Sequence, residues 1–188
     1  MTNFEELPST ISRPSHSMVA GISSMILQLR KENIKQSMSD LNAIGHRQEY
    51  VATINGVMYY DDSRAENVNA TWFTFENIVT PVIWIAGGDN SMIDFKELKR
   101  ITKNKVKMLI WFGKDNHRMK KTFAKEVSEF YEADNIEDAV KMASLLSKED
   151  DIVLFSPACH STEIGETFVE RGNLFKKTVK QIENESRE

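Results

Sequence analysis

The chain has 188 residues, enough for one domain with its own core, since about seven tenths of the unfolded surface of a chain this long is buried on folding. Its composition, 40% hydrophobic and 28% charged, is that of an ordinary soluble protein, and a formal charge of -4 argues against a sequence-independent grip on nucleic acid or on an anionic membrane. The single cysteine, Cys159, excludes an intrachain disulfide and a thiolate zinc cluster, no apolar run reaches the length of a membrane span, and the expected location is a reducing cytoplasm.

In chain order, residues 1–15 are polar, contain Pro8 and Pro14 and show no sustained period, so they read as a flexible leader. Across residues 16–41 the apolar positions Met18, Ile22, Met25, Ile26 and Leu29 recur at helical spacing, and Ile34, Met38 and Leu41 suggest a second, shorter helix. An apolar stripe of that extent calls for a cover, which the segment finds either by folding back on its own domain or by burying itself in a partner chain or a second copy.

Residues 42–184 read as one α/β domain. The runs 50–54 and 57–60 are β-rich and flank Asn55 and Gly56, the pair that best tolerates the positive φ angles of a two-residue hairpin turn. Alternating units follow: a helix near 68–78, a strand 82–86, a helix near 95–102, a strand 107–112, a helix near 118–127 and a short strand near 129–131. The next helix starts at Asp134, with Glu137 three residues on in a capping-box spacing. A strand 152–155, a helix near 168–182 and a frayed tail 185–188 complete the chain.

Continuous apolar strands such as VIWIA and MLIWF need cover on both faces, and the intervening helices supply it. The expected fold is therefore Rossmann-like: a mostly parallel sheet with flanking helices and an antiparallel edge hairpin. In such a sheet ligands sit outside the carboxyl ends of the strands, which singles out the loops 87–92, 113–117 and 156–162. Trp72, Trp84 and Trp111 belong to apolar runs and read as core, and Cys159 reads as a packed thiol rather than a nucleophile. His46, His117 and His160 could in principle gather around Asp61 or Asp62, but their spacings match no metal-ligand pattern, so no metal and no catalytic residue is assigned.

The strings GHRQEYV (45–51), YDDSRAEN (60–67), WIAGGD (84–89), NIEDAVKMA (135–143) and LFSPACHS (154–161), with ERG at 170–172, occur in one order along the chain. In that order and spacing the chain resembles the C-terminal domain of the D-glutamate-adding Mur ligases, enzymes that build the peptidoglycan precursor; the resemblance runs from about residue 13 to 182. It implies that residues 16–41 correspond to the end of the family's central ATPase domain. It also implies nucleotide contacts from Arg47 to ATP phosphates and from Asp62 to the ribose.

The same resemblance places an amino-acid pocket at Arg64, Glu66, Ser91, Ser161, Thr162 and Phe168. Arg64 stands where the family has lysine, Glu66 where it has threonine, and Ser91 where it has the lysine that pairs with a D-glutamate carboxylate; Ser161 keeps its family identity. In the helix leading into the domain Ala20 replaces an asparagine and Ser17 departs from a histidine-asparagine pair of which His16 survives. Losing an ammonium and gaining a carboxylate shifts the pocket by two charges, and one like-charge contact at 4 Å costs about 4 kcal/mol at an effective dielectric near 20. An Arg64–Glu66 pair on the opening turn of the helix is one expected response.

No string GxxxxGK followed by Ser or Thr occurs, so no phosphate-cradling loop is legible, and ATP with magnesium is expected only where an ATPase partner completes the site. Two readings follow from the resemblance. One is a half-ligase that joins an amino acid to a nucleotide-sugar precursor beside an ATPase chain. The other, which accounts better for the altered pocket, is a non-catalytic binding or regulatory module.

Overall fold

Asn55 and Gly56 take positive φ angles of 49° and 79° and close a hairpin between β1 (Glu49–Ile54) and β2 (Val57–Asp61), as an Asn-Gly pair should. The structure, a computed structural model, describes residues 45–89, 92–113, 116–161 and 167–187. The expected leader (1–15), the segment 16–41 expected to be helical, Ser91 and Thr162 lie outside the described residues.

After the hairpin come α1 (Val68–Asn77), β3 (Val82–Gly87), α2 (Lys96–Lys105), β4 (Val106–Phe112), α3 (Asn116–Phe123), β5 (Glu129–Ala133), α4 (Ile136–Leu146), β6 (Ile152–Phe155) and α5 (Phe168–Glu185). The six strands form one sheet in the order β1-β2-β6-β3-β4-β5. Among these six strands β1 and β2 pair antiparallel; β2–β6, β6–β3, β3–β4 and β4–β5 are parallel. Expected and observed fold class agree.

Side-chain alternation in the central strands feeds two apolar layers. Ile83 and Ile85 of β3 join Met108 and Ile110 of β4, Ile136, Ala139, Val140 and Ala143 of α4, and Phe175 and Val179 of α5 on one face. Val82, Trp84 and Ala86 face the other way, with Leu109 and Trp111, beneath Phe75 of α1, Leu98 of α2 and Met119 and Phe123 of α3. Every residue of β3 is buried, which is why its sequence is a continuous apolar run rather than an alternating one. Trp84 and Trp111 are core as expected, whereas Trp72 is only half-buried at the margin of the second layer.

The expected helix boundaries shift where capping chemistry decides them. The cap of α4 is Asn135, not Asp134: Asn135 is extended and its Oδ1 accepts the Asp138 N–H at 2.8 Å. Asn and Asp cap almost equally well, so the register is set by Ile136, Ala139, Val140 and Ala143, which must reach the sheet. The last helix opens with a capping box: Thr167 Oγ1 accepts the Glu170 N–H and Glu170 Oε2 accepts the Thr167 N–H. It continues to Glu185, three residues past the expected end, with Glu183 receiving Lys180 at 2.8 Å and Arg187 at 2.7 Å.

Candidate functional site

The carboxyl ends of β6, β3 and β4 are adjacent, so the loops that leave them meet. Gly87, Gly88 and Gly113 all have positive φ, and a Cβ on Gly87 would lie 2.0 Å from the Phe112 carbonyl oxygen, one on Gly88 2.1 Å from that of His160. Backbone bonds lace the loops together: Gly87 N–H to Pro157 O at 3.2 Å, Gly88 N–H to Phe112 O at 3.3 Å and Asp89 N–H to His160 O at 2.8 Å. The glycines therefore let loops approach one another.

Arg47, Asp62, Arg64, Ala65, Ala70 and Thr74 line one cleft of about 160 Å³, so the two expected nucleotide contacts and the first expected pocket residue are brought together. Arg47 lies over the Phe73 ring, 5.9 Å from its centroid. Asp62 is only 2% exposed and its oxygens are engaged within the protein. Oδ2 accepts the hydroxyls of Thr74 at 2.7 Å and Ser156 at 2.9 Å, and Oδ1 accepts the Gln48 N–H at 3.3 Å. Burial pushes the Asp62 carboxyl up to about 6, against these hydrogen bonds, with the neighbouring Asp61 charge adding to the rise.

The expected Arg64–Glu66 pair is replaced by two other contacts. Glu66 Oε1 accepts Arg171 Nη2 at 3.1 Å and lies 3.5 Å from His160 Nδ1. Arg171 is 1% exposed, and its Nη1 donates to the Cys159 carbonyl at 3.1 Å. A buried guanidinium needs a counter-charge, and Glu66 provides it. The carboxylate is thus compensated from within, which removes most of the uncompensated negative charge expected from the sequence. Arg64 instead places its guanidinium over the Phe168 ring, 5.4 Å from the centroid. Ser161 is half-buried at the end of the Cys159 loop.

Two candidate chemistries have defined surroundings. Cys159 is fully buried, and desolvation pushes its thiol up to about 12, with the Arg171 charge opposing only in part, so it is no nucleophile at neutral pH. His46, Glu49 and Asp61 bring ligand atoms within 4.8 Å of one another. Lys176 already serves that group as its cation, with Nζ 2.9 Å from Glu49 Oε2 and 3.9 Å from Asp61 Oδ2. His160 faces Glu66 and His117 sits on α3, so the three histidines do not converge.

Sequence reasoning missed the polar seat of α5. His46 Nδ1 lies 2.8 Å from Asp61 Oδ2 and 3.3 Å from Ser63 Oγ, while the His46 N–H donates to Glu49 at 2.8 Å. Burial pushes Glu49 up, yet the His46 N–H and the Lys176 ammonium outweigh it and hold the carboxyl below its ordinary value. Gly172 rests directly on this cluster: a Cβ there would lie 2.2 Å from His46 Nδ1 and 2.3 Å from Ser63 Oγ. The tripeptide ERG thus carries three separate duties, as Glu170 caps the helix, Arg171 ties it to Glu66 and Gly172 admits the cluster. A glycine within a segment that otherwise reads as helix was the available signal for the cluster beneath it.

Residues 46–159 match the family model described as Mur ligase, glutamate ligase domain. A UDP-N-acetylmuramoylalanine--D-glutamate ligase from Christiangramia forsetii is 36% identical over 167 residues, which are 89% of this chain and 38% of the relative. The protein of the same name from Salinibacter ruber is 31% identical over 167 residues, 89% of this chain and 36% of its own. The chain thus spans less than two fifths of the length of these curated relatives. Among solved structures, a murein peptide ligase from Psychrobacter arcticus 273-4 superposes with a TM-score of 0.51 at 14% identity, over 73% of this chain and 29% of that one, a likeness of fold alone.

Proposed function

Because the chain belongs to the family of Mur ligase glutamate ligase domains, we propose that it is a Mur ligase C-terminal-like domain of the D-glutamate-adding type serving as a non-catalytic binding or regulatory module. The observation that carries this reading is the Glu66–Arg171 contact. A pocket position that the resemblance assigns to the amino-acid substrate holds a carboxylate bound to a buried guanidinium of the same chain. Its neighbour Arg64 lies on Phe168, a second assigned pocket residue. Side chains that would face a ligand are spent on each other, and a dicarboxylic amino acid would have to displace an internal carboxylate to reach Arg171.

One observation favours the alternative of a half-ligase acting with an ATPase chain, with ATP and magnesium held between them. Arg47, Asp62 and Arg64 do line a common cleft. That cleft is well below the roughly 300–1,000 Å³ of sites that enclose a small ligand, so it offers one wall of a nucleotide site at most. Calorimetric titration of the chain with magnesium-ATP and with D-glutamate separates the two readings. The module reading expects no saturable heat from either ligand below the millimolar range; micromolar binding of either would make the half-ligase the better account.

A further inference from the structure

The chain's charge is distributed unevenly. Residues 94–125 hold eleven Lys and Arg against three Asp and Glu, a formal +8 in a chain of net -4, so the remainder carries -12. The fold places many of these cations on one surface, because α2 and α3 cover the same side of the sheet and α2 packs beside α3.

A groove of about 480 Å³ is lined by Lys99 of α2 with His117, Lys120, Lys121 and Lys125 of α3 and the turn after it. A second groove of about 480 Å³ shares Lys99 and Lys121 and adds the apolar Met92 and Ile93. Only part of this charge is answered internally: Lys96 pairs with Asp94, Lys107 with Asp151, Lys99 with Glu126 at 3.8 Å and Lys120 with Glu132 at 3.6 Å, and the long pairs at the open surface are of little worth. Among the described residues Arg100, Lys103, Lys121 and Lys125 form no ion pair. Clustered like charges repel one another, and that repulsion is relieved when an anionic partner binds.

We propose that the α2–α3 face is a docking surface for a short acidic segment of a partner protein. Size and chemistry favour a peptide over a nucleic acid. The ten residues of α2 span about 15 Å, room for about four or five residues of extended chain. Single-strand binders stack bases on exposed aromatic rings, but Phe95, Trp111 and Phe123 beneath this face are buried. A longer polyanion would run off the basic face onto a body carrying -12. Met92, which is 95% exposed, and Ile93 give the aliphatic side chains of such a segment a place between its carboxylates.

The test uses the whole chain and a fluorescent oligoglutamate peptide, with a single-stranded oligonucleotide of equal charge and inorganic polyphosphate as competitors. Anisotropy should show saturable, salt-sensitive binding of the peptide, with NMR shifts confined to α2, α3 and the 92–95 loop. Lys99→Glu, Lys121→Glu and Lys125→Glu together should weaken it about tenfold or more. A control with the same change in net charge, Lys141→Glu, Lys148→Glu and Lys177→Glu, should leave it within about twofold, and the milder Lys121→Gln with Lys125→Gln should act in the same direction as the first set. The proposal is overturned if the two sets of reversals weaken binding equally, if the oligonucleotide or polyphosphate binds more tightly than the peptide, if the mapped shifts lie elsewhere, or if no binding is seen.

Discussion

At the scale of single residues, the Asp62 carboxyl combines burial with a full set of hydrogen-bond donors. Desolvation raises it from an ordinary 3.8 to about 6 despite Thr74, Ser156 and the Gln48 N–H. An acid whose pKa is higher folded than unfolded binds its proton more tightly in the native state. Its contribution to stability is therefore fully present below about pH 4 and is lost as the pH rises through 6. Asp62→Asn, which cannot ionise, should flatten this part of the stability profile. Urea unfolding at pH 4.5 and 7.0 should show the natural chain losing about 2 kcal/mol more than the variant across that interval. Equal losses in both proteins would mean that Asp62 is ionised throughout and that its pocket is wetter than its burial implies.

At the scale of elements, the placement of α5 depends on what it packs against rather than on helix propensity. Glycine inside a helix is about 1 kcal/mol worse than alanine, so Gly172→Ala would stabilise an isolated α5. In the fold the added methyl would strike His46 Nδ1 and Ser63 Oγ at 2.2 and 2.3 Å, in a cluster fixed by Asp61, Glu49 and Lys176. Overpacking of that kind costs about 1–3 kcal/mol, sometimes more, and outweighs the propensity gain. Gly172→Ala should lower stability by about 1 kcal/mol in denaturant unfolding, the cost less the propensity gain, whereas a gain would show that α5 shifts freely.

This contrast also explains which elements were legible beforehand. The hairpin was readable because Asn55 and Gly56 encode their own turn, and β3 and β4 because continuous apolar runs answer to burial on both faces. The cap of α4 was misplaced by one residue because Asp134 and Asn135 are equivalent locally and only the sheet chooses between them. The Arg171–Glu66 contact joins residues 105 positions apart, and no local pattern reports it. Arg64 on Phe168 was missed for the same reason. Of the residues assigned by family resemblance, Arg47, Asp62 and Arg64 line one cleft, but resemblance could not say that Glu66 would turn to Arg171.

For the molecule as a whole, the fold and the site make different demands on the same sequence. The sheet and its two apolar layers carry the family fold, while Arg64, Glu66 and Ser91 are the departures that the resemblance assigns to an amino-acid pocket. The central claim is that Glu66, held by Arg171, fills from within a position that the resemblance assigns to the amino-acid pocket. Replacing Glu66 by threonine removes the carboxylate that receives Arg171 Nη2, and lysines at 64 and 91 restore the ammonium groups of the family pocket. The effects of the three changes need not add, since neighbours in one constellation couple. The most direct measurement is an NMR titration of D-glutamate into the natural chain and into the Arg64→Lys, Glu66→Thr, Ser91→Lys variant. The account predicts saturable shifts around Arg171 and Phe168 in the variant and none in the natural chain; equal binding by both proteins would contradict it.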